Sequence, residues 1–243
     1  MDNLSGETMR YIIHRSEERG KANYGWLDTR YSFSFSRYYD PEKMGFGLLR
    51  VLNDDVVHPA TGFGTHPHDN MEIITIILDG QLEHKDSMGN GSVISKDEVQ
   101  VMSAGSGVTH SEFNPSKTDK VSLLQIWIYP KEENIKPRYD QKSFPKEERK
   151  NKLVTVASGF NENGSLYIHQ NAEIKLGYFE KPDTIKYKVR NGNGVYLFVI
   201  DGQIKIGDEE LFRRDAIGIY DTDEFEIEVV DNAEFVLLEV PMN

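Results

Sequence analysis

One pattern occurs twice in this chain, about half a chain length apart, and it narrows the folds available. Residues 73–82 read IITIILDGQL and residues 195–204 read VYLFVIDGQI, an offset of 122 in a chain of 243. Each is an apolar run rich in Ile, Val and Leu that enters Asp-Gly-Gln and continues into a second stretch. β-Branched residues favour strands, and Asp-Gly interrupts them. A second echo follows in the same order, Lys96-Asp97-Glu98-Val99 against Arg214-Asp215-Ala216-Ile217, at an offset of 118. Two ordered echoes at nearly equal offsets predict two similar β-domains in tandem. Further apolar runs at 71–78, 98–102, 121–128 and 235–239 are separated by turn residues such as Met88-Gly89-Asn90-Gly91 and Gly207-Asp208. No long amphipathic helical pattern interrupts them. The polar stretch 130–150, with three prolines, is the natural connection. The expected organisation is therefore all-β, with domains over 1–135 and 136–243.

Seven histidines occur, and three of them fall in two short motifs, His66-Pro67-His68 and His110-Ser111-Glu112. Residues at i and i+2 of a strand point to the same face. Two such strands side by side would aim three imidazoles and a carboxylate at one point, with Glu72 a further candidate carboxylate. Imidazole and carboxylate donors suit a divalent transition metal, Fe, Ni, Mn, Cu or Zn, and such a shell leaves positions open for water, oxygen or substrate. Carrying His66, His68 and Glu72 forward by 122 reaches Lys188, Arg190 and Gly194. Carrying His110 and Glu112 forward by 118 reaches Glu228 and Val230. Only the first half can hold the metal. The second is expected to be structural or to cover the first domain's pocket.

Other features narrow the function. Lys plus Arg total 28 against 40 for Asp plus Glu, a net charge of −12. That balance argues against nucleic acid and anionic membranes as main partners. Without cysteine there is no disulfide, thiolate catalysis or zinc-thiolate site. Residues 1–7 carry no apolar signal core, so a cytoplasmic protein is the expectation. Asn90-Gly91-Ser92 and Asn163-Gly164-Ser165 read as turns rather than glycosylation sites. His84, near Asp86, reads as a polar residue beside the site. His14, His58 and His169 read as surface residues, and Trp26 and Trp127 as core. The acidic run 221–228 (DTDEFEIE) reads as a half-exposed strand, not a calcium loop. Ser103-Ala104-Gly105-Ser106-Gly107 lacks the Lys and helix of a phosphate loop.

The motifs also carry a resemblance. Residues 62–80, GFGTHPHDNMEIITIILDG, and 105–114, GSGVTHSEFN, resemble the two cupin motifs. Tyr24-Gly25-Trp26-Leu27, Phe33-Ser34-Phe35, residues 49–55 (LRVLNDD), 84–89 (HKDSMG) and 100–105 (QVMSAG) resemble the pirin family of two-domain cupins, most strongly over 10–130. The resemblance implies a bicupin of two jelly-roll β-barrels. It implies one metal, Fe(II) foremost with Ni, Mn, Cu, Co or Zn accepted, held by His66, His68, His110 and Glu112. In general cupins the carboxylate ligand would be Glu72. The pirin pattern makes it Glu112, with Glu72 left either to orient a ligand histidine or to stand apart from the metal. Some bacterial members act as quercetin 2,3-dioxygenases, which implies a flavonol-like substrate, O2 and Glu112 as general base. Eukaryotic pirins imply the rival reading, a metal-binding redox sensor or transcriptional co-regulator working through protein partners. A monomer is the expected state.

Overall fold

Residues 9–160 and 164–243 are described here from a computed structural model. The stretch 1–7 and Asn163 of the second Asn-Gly-Ser lie outside the described residues. The first half contributes β1 (Arg10–His14), β2 (Gly20–Asn23), β3 (Leu27–Tyr31), β4 (Leu49–Val57), β5 (Gly62–His68) and β6 (Glu72–Asp79). It continues with β7 (Gln81–Asp86), β8 (Gly91–Ser95), β9 (Glu98–Ser103), β10 (Val108–Phe113), β11 (Val121–Ile128) and β12 (Arg138–Ser143). A short helix, α1 (Lys146–Arg149), leads into the second half. There follow β13 (Lys152–Ser158), β14 (Leu166–Tyr167), β15 (Glu173–Phe179), β16 (Asp183–Lys188), β17 (Asn193–Ile206), β18 (Glu209–Phe212), β19 (Ala216–Tyr220) and β20 (Glu224–Pro241).

The fold is all-β, and each half is a jelly-roll barrel. In the first, a sheet ordered β12-β9-β6-β11-β4-β3-β2 faces a smaller sheet ordered β5-β10-β7-β8. The second is one nine-stranded sheet closed around its own apolar interior, including Leu197, Val199, Ile217, Ile227 and Phe235. Two strands cross over. β1 pairs with β19 of the second half, and β12, inside the proline-bearing connection, extends the first half's sheet through β9.

Strand parity explains why β6 is a continuous apolar run. Its odd residues Ile73 and Ile77 face the first barrel's interior. Its even residues Ile74 and Ile76 enter a buried cluster shared with Leu176, Phe198, Val236 and Leu238 of the second half. A strand buried on both faces loses the polar alternation of a half-exposed one. The two barrels are thus joined by a core, and Arg149 clamps its edge. Its side chain is 2% exposed and reaches Asp97 at 2.7 Å in one half and Glu234 at 3.2 Å in the other.

The repeated Asp-Gly has one role in both halves, although it turns no hairpin. Gly80 (φ +80°) passes the chain from β6 in one sheet to β7 in the other. Gly202 (φ +82°) sits inside β17, which stays one long strand broken by bulges against β20. A Cβ would lie 2.7 Å from the Lys120 carbonyl oxygen in the first case and 2.1 Å from that of Asn232 in the second. Both positions need glycine for its positive φ and for the backbone passing close by. Asn90 lies in the turn between β7 and β8, as expected. β20 begins with alternating exposure that buries Phe225, Ile227 and Val229, the half-exposed strand read from the acidic run. Among the described residues, no helix is long and apolar enough to cross a membrane.

Candidate metal centre

β5 and β10 are antiparallel neighbours with His110 opposite His66. The i, i+2 spacing therefore delivers His66 and His68 from one strand and His110 from the next to a common face. Their ring centroids lie 4.5–5.0 Å apart. One ring nitrogen from each lies within 4.8 Å of the others. A bulge in the β5 register follows His110, and on its other side β10 pairs with β7, setting Glu112 opposite His84. The Glu112 carboxylate accordingly groups with His110 and His84, next to the three histidines and sharing His110 with them.

The donor chemistry fits a bound cation. His66 Nδ1 lies 2.7 Å from the Gly64 carbonyl oxygen, which places its proton there and leaves Nε2 as a lone pair. That Nε2 stands 3.0 Å from His110 Nε2. Burial, reinforced by the neighbouring imidazoles, lowers the pKa of His68 to about 4 and of His110 to about 3. Both are neutral at pH 7, so converging nitrogens compete for few protons, as metal ligands do. Burial raises Glu112 to about 7, against hydrogen bonds that oppose the shift. Gln125 Nε2 donates to both carboxylate oxygens at 3.0 and 3.3 Å, and Thr75 Oγ1 to one at 3.5 Å. A cation beside Glu112 would favour its charged form. Three imidazoles and a carboxylate match a borderline divalent transition ion.

The site ends a cavity of about 220 Å3. Leu27, Tyr31, Phe35, Phe63 and Trp127 form its apolar wall, and Asn53, Asp55 and Gln125 its polar floor. Asp55 is fully buried and pushed up to about 7 by desolvation. Among the described residues, every lining residue belongs to the first half, and none of the second half covers this pocket. The second half packs behind it, through the shared core.

Several other expectations are corrected. Glu72 orients no ligand histidine. As an even residue of β6 it faces the second half, where it accepts hydrogen bonds from Ser103 Oγ at 2.8 Å and the His169 backbone N–H at 3.1 Å. His169 is therefore no simple surface residue. His14 is buried, with Nδ1 2.8 Å from the Tyr196 hydroxyl. His58 is partly exposed and pairs with Asp28 at 3.2 Å. Trp26 packs edge-on against Phe63 at the core, as read. Trp127 instead lines the pocket, edge-on to His68 at 4.9 Å. His84 was underread. It is fully buried, its Nε2 bonds Asp86 at 3.0 Å, and its Nδ1 has no partner among the described residues. The missing signal was the β7–β10 register, which no local motif encodes.

Comparison with known proteins agrees with this architecture. The Pirin family model matches residues 13–128, and that of the quercetinase C-terminal cupin domain matches 155–240. The chain is 41% identical over 229 residues to a quercetin 2,3-dioxygenase of Escherichia coli (strain K12), covering 94% of this chain and 98% of that one. It is 39% identical to a pirin-like protein of Caulobacter vibrioides, covering 92% and 96%. The crystal structure of the bacterial pirin YhhW from Escherichia coli in complex with nickel(II) superposes with a TM-score of 0.91 at 40% identity, covering 96% of this chain and 99% of that one. The site geometry, the paired barrels and these similarities lead to one conclusion: the chain belongs to the pirin family.

Proposed function

We propose that this protein is a metal-dependent dioxygenase of the quercetin 2,3-dioxygenase type, cleaving a flavonol-like substrate with O2 to a depside and CO. His66, His68, His110 and Glu112 hold its one metal, Fe(II) foremost, with the closely similar nickel-bound pirin marking nickel as an alternative. The observation that carries the reading is the convergence of three histidines beside a buried Glu112 at the end of an apolar pocket. The bound metal would supply Lewis acidity and an open position at which substrate and oxygen meet. Glu112 receives the proton of the substrate's reacting hydroxyl as the general base. Gln125 and Thr75 fix its orientation. Trp127 and Phe35 offer faces and edges to a planar ring, and Asn53 and Asp55 offer polar contacts to its hydroxyls. At about 220 Å3 the cavity suits the reacting rings, with the remainder of a flavonol extending past the half-exposed His66 and His68. Catalysis belongs to the first half, and the second supports it as a metal-free scaffold. A monomer accords with two barrels whose apolar faces cover each other.

The test is oxygen uptake by Fe(II)-loaded protein given quercetin, with Glu112→Ala as control. Metal-dependent uptake with loss of flavonol absorbance, absent in the variant, is the expected result. No uptake with one metal bound per chain would overturn the reading and favour the sensor role.

A further inference from the structure

β3 and β4 form a wall with a second cavity on its other side, of about 490 Å3. Strand alternation separates the two spaces. Thr29, Asn53 and Asp55 face the histidine pocket, whereas Asp28, Arg30 and Asp54 face this one. The second cavity is an open cleft lined from both halves, by Glu17, Arg19 and Lys21 ahead of β3 and by Arg213 and Arg214 in the turn before β19. Five cationic side chains thus meet three acidic ones, a surplus of two positive charges in a chain whose total is −12.

The acids are largely committed, and of the cations Arg213 is paired outside the lining, its Nε 3.3 Å from Asp201 Oδ1. Asp28 is bonded by His58 at 3.2 Å and by Asn23. Asp54 is shared, with Oδ2 3.8 Å from Arg19 Nη1 and 3.4 Å from Arg214 Nε. The Arg19 side chain is 1% exposed and its Nη2 donates to the Arg30 carbonyl at 3.4 Å and to Ser32 Oγ at 3.1 Å, but its Nε has no hydrogen-bond partner among the described residues, and neither has the buried Nη1 of Arg214. Both guanidinium groups lie over the Phe198 ring, at 4.8 and 5.9 Å from its centre, which holds them in place. Burial lowers the pKa of both, the mark of cations short of compensating charge. Fixed guanidinium groups that each keep one unsatisfied donor are suited to sharing a tetrahedral oxyanion between them.

We propose that this cavity binds a dianionic phosphate group between the two halves, either inorganic phosphate or the phosphoryl end of a small phosphomonoester. The cationic excess of the lining favours such a group, and the volume leaves room for a small organic remainder. The site is separate from the proposed dioxygenase centre and stands or falls without it.

Calorimetric titration of inorganic phosphate into the full-length, nickel-loaded protein in phosphate-free, low-salt buffer tests this. One saturable site per chain is expected, weakened at least about tenfold in Arg214→Gln through loss of a charge-assisted bond. Lys21→Gln, at an exposed strand position, is expected to weaken it about threefold by the loss of one screened charge. Glycerol 2-phosphate in the same cell identifies the ligand. Tighter binding than phosphate assigns an ester, and weaker binding assigns the free ion; either supports the site. No saturable binding, an affinity unchanged in both variants, or acetate binding as tightly as phosphate would overturn the proposal.

Discussion

Replacing Glu112 by Gln should make the metal-free protein more stable and the metal-loaded protein less able to hold its ion. Burial lifts the folded-state pKa of Glu112 from its ordinary 4.5 to about 7. The folded protein therefore holds this proton more tightly than the unfolded chain does, and stability falls as pH rises from about 4.5 to about 7. Above that window the full cost of a buried carboxylate remains, about 3 kcal/mol from a shift of this size. Gln keeps the shape and an acceptor oxygen for Gln125 Nε2 but carries no charge. At pH 8, without metal, Glu112→Gln should then unfold with a midpoint about 6–12 °C above the parent. At pH 5 the two should differ little. Adding nickel should reverse the order at pH 8, because only the carboxylate gains from a cation. The assay is thermal denaturation of chelator-treated and nickel-loaded protein at both pH values. A variant no more stable than the parent at pH 8 without metal would refute the claim that desolvation governs this carboxylate.

The remaining predictions concern single contacts. His68→Ala should lose stoichiometric metal, whereas Glu72→Ala should keep it while destabilising the junction held by Ser103 and His169; metal analysis with a melting curve separates the two. Arg149→Met should cost about 3–5 kcal/mol by leaving Asp97 and Glu234 unpaired, read by urea denaturation. Gly202→Ala should cost about 1–3 kcal/mol or more, since its φ is +82° and a Cβ would press on the Asn232 carbonyl, and should lower the melting temperature with metal content unchanged. Trp127→Ala should raise KM for a flavonol more than it lowers kcat, which steady-state kinetics would measure.

What the sequence disclosed was whatever depends on local period. Two residues apart on a strand means one face, so the His66–His68 and His110–Glu112 pairs were legible together with the strand class around them. The repeated Asp-Gly was visible as punctuation, but the close backbone approach that requires glycine at each depends on Lys120 and Asn232, far along the chain. The role of Glu72 stayed open because β6 is apolar on both faces, and nothing local says which parity points at the metal. His14 looked exposed because its partner, Tyr196, is 182 residues away. His84 was recognised through Asp86, two residues on, but not through Glu112, which reaches it across β7 and β10. The second half's relation to the pocket was open in the sequence. The shared core settles it, because the even residues of β6 and β11 turn away from the site and into the second barrel.

The most direct test of the central claim is mass analysis of the products formed from quercetin by the Fe(II)-loaded protein under 18O2. The account predicts that both atoms of one oxygen molecule appear in the cleaved products, with carbon monoxide released in equal amount and no label gained with His68→Ala. Unlabelled or singly labelled products, or full activity in that variant, would contradict it.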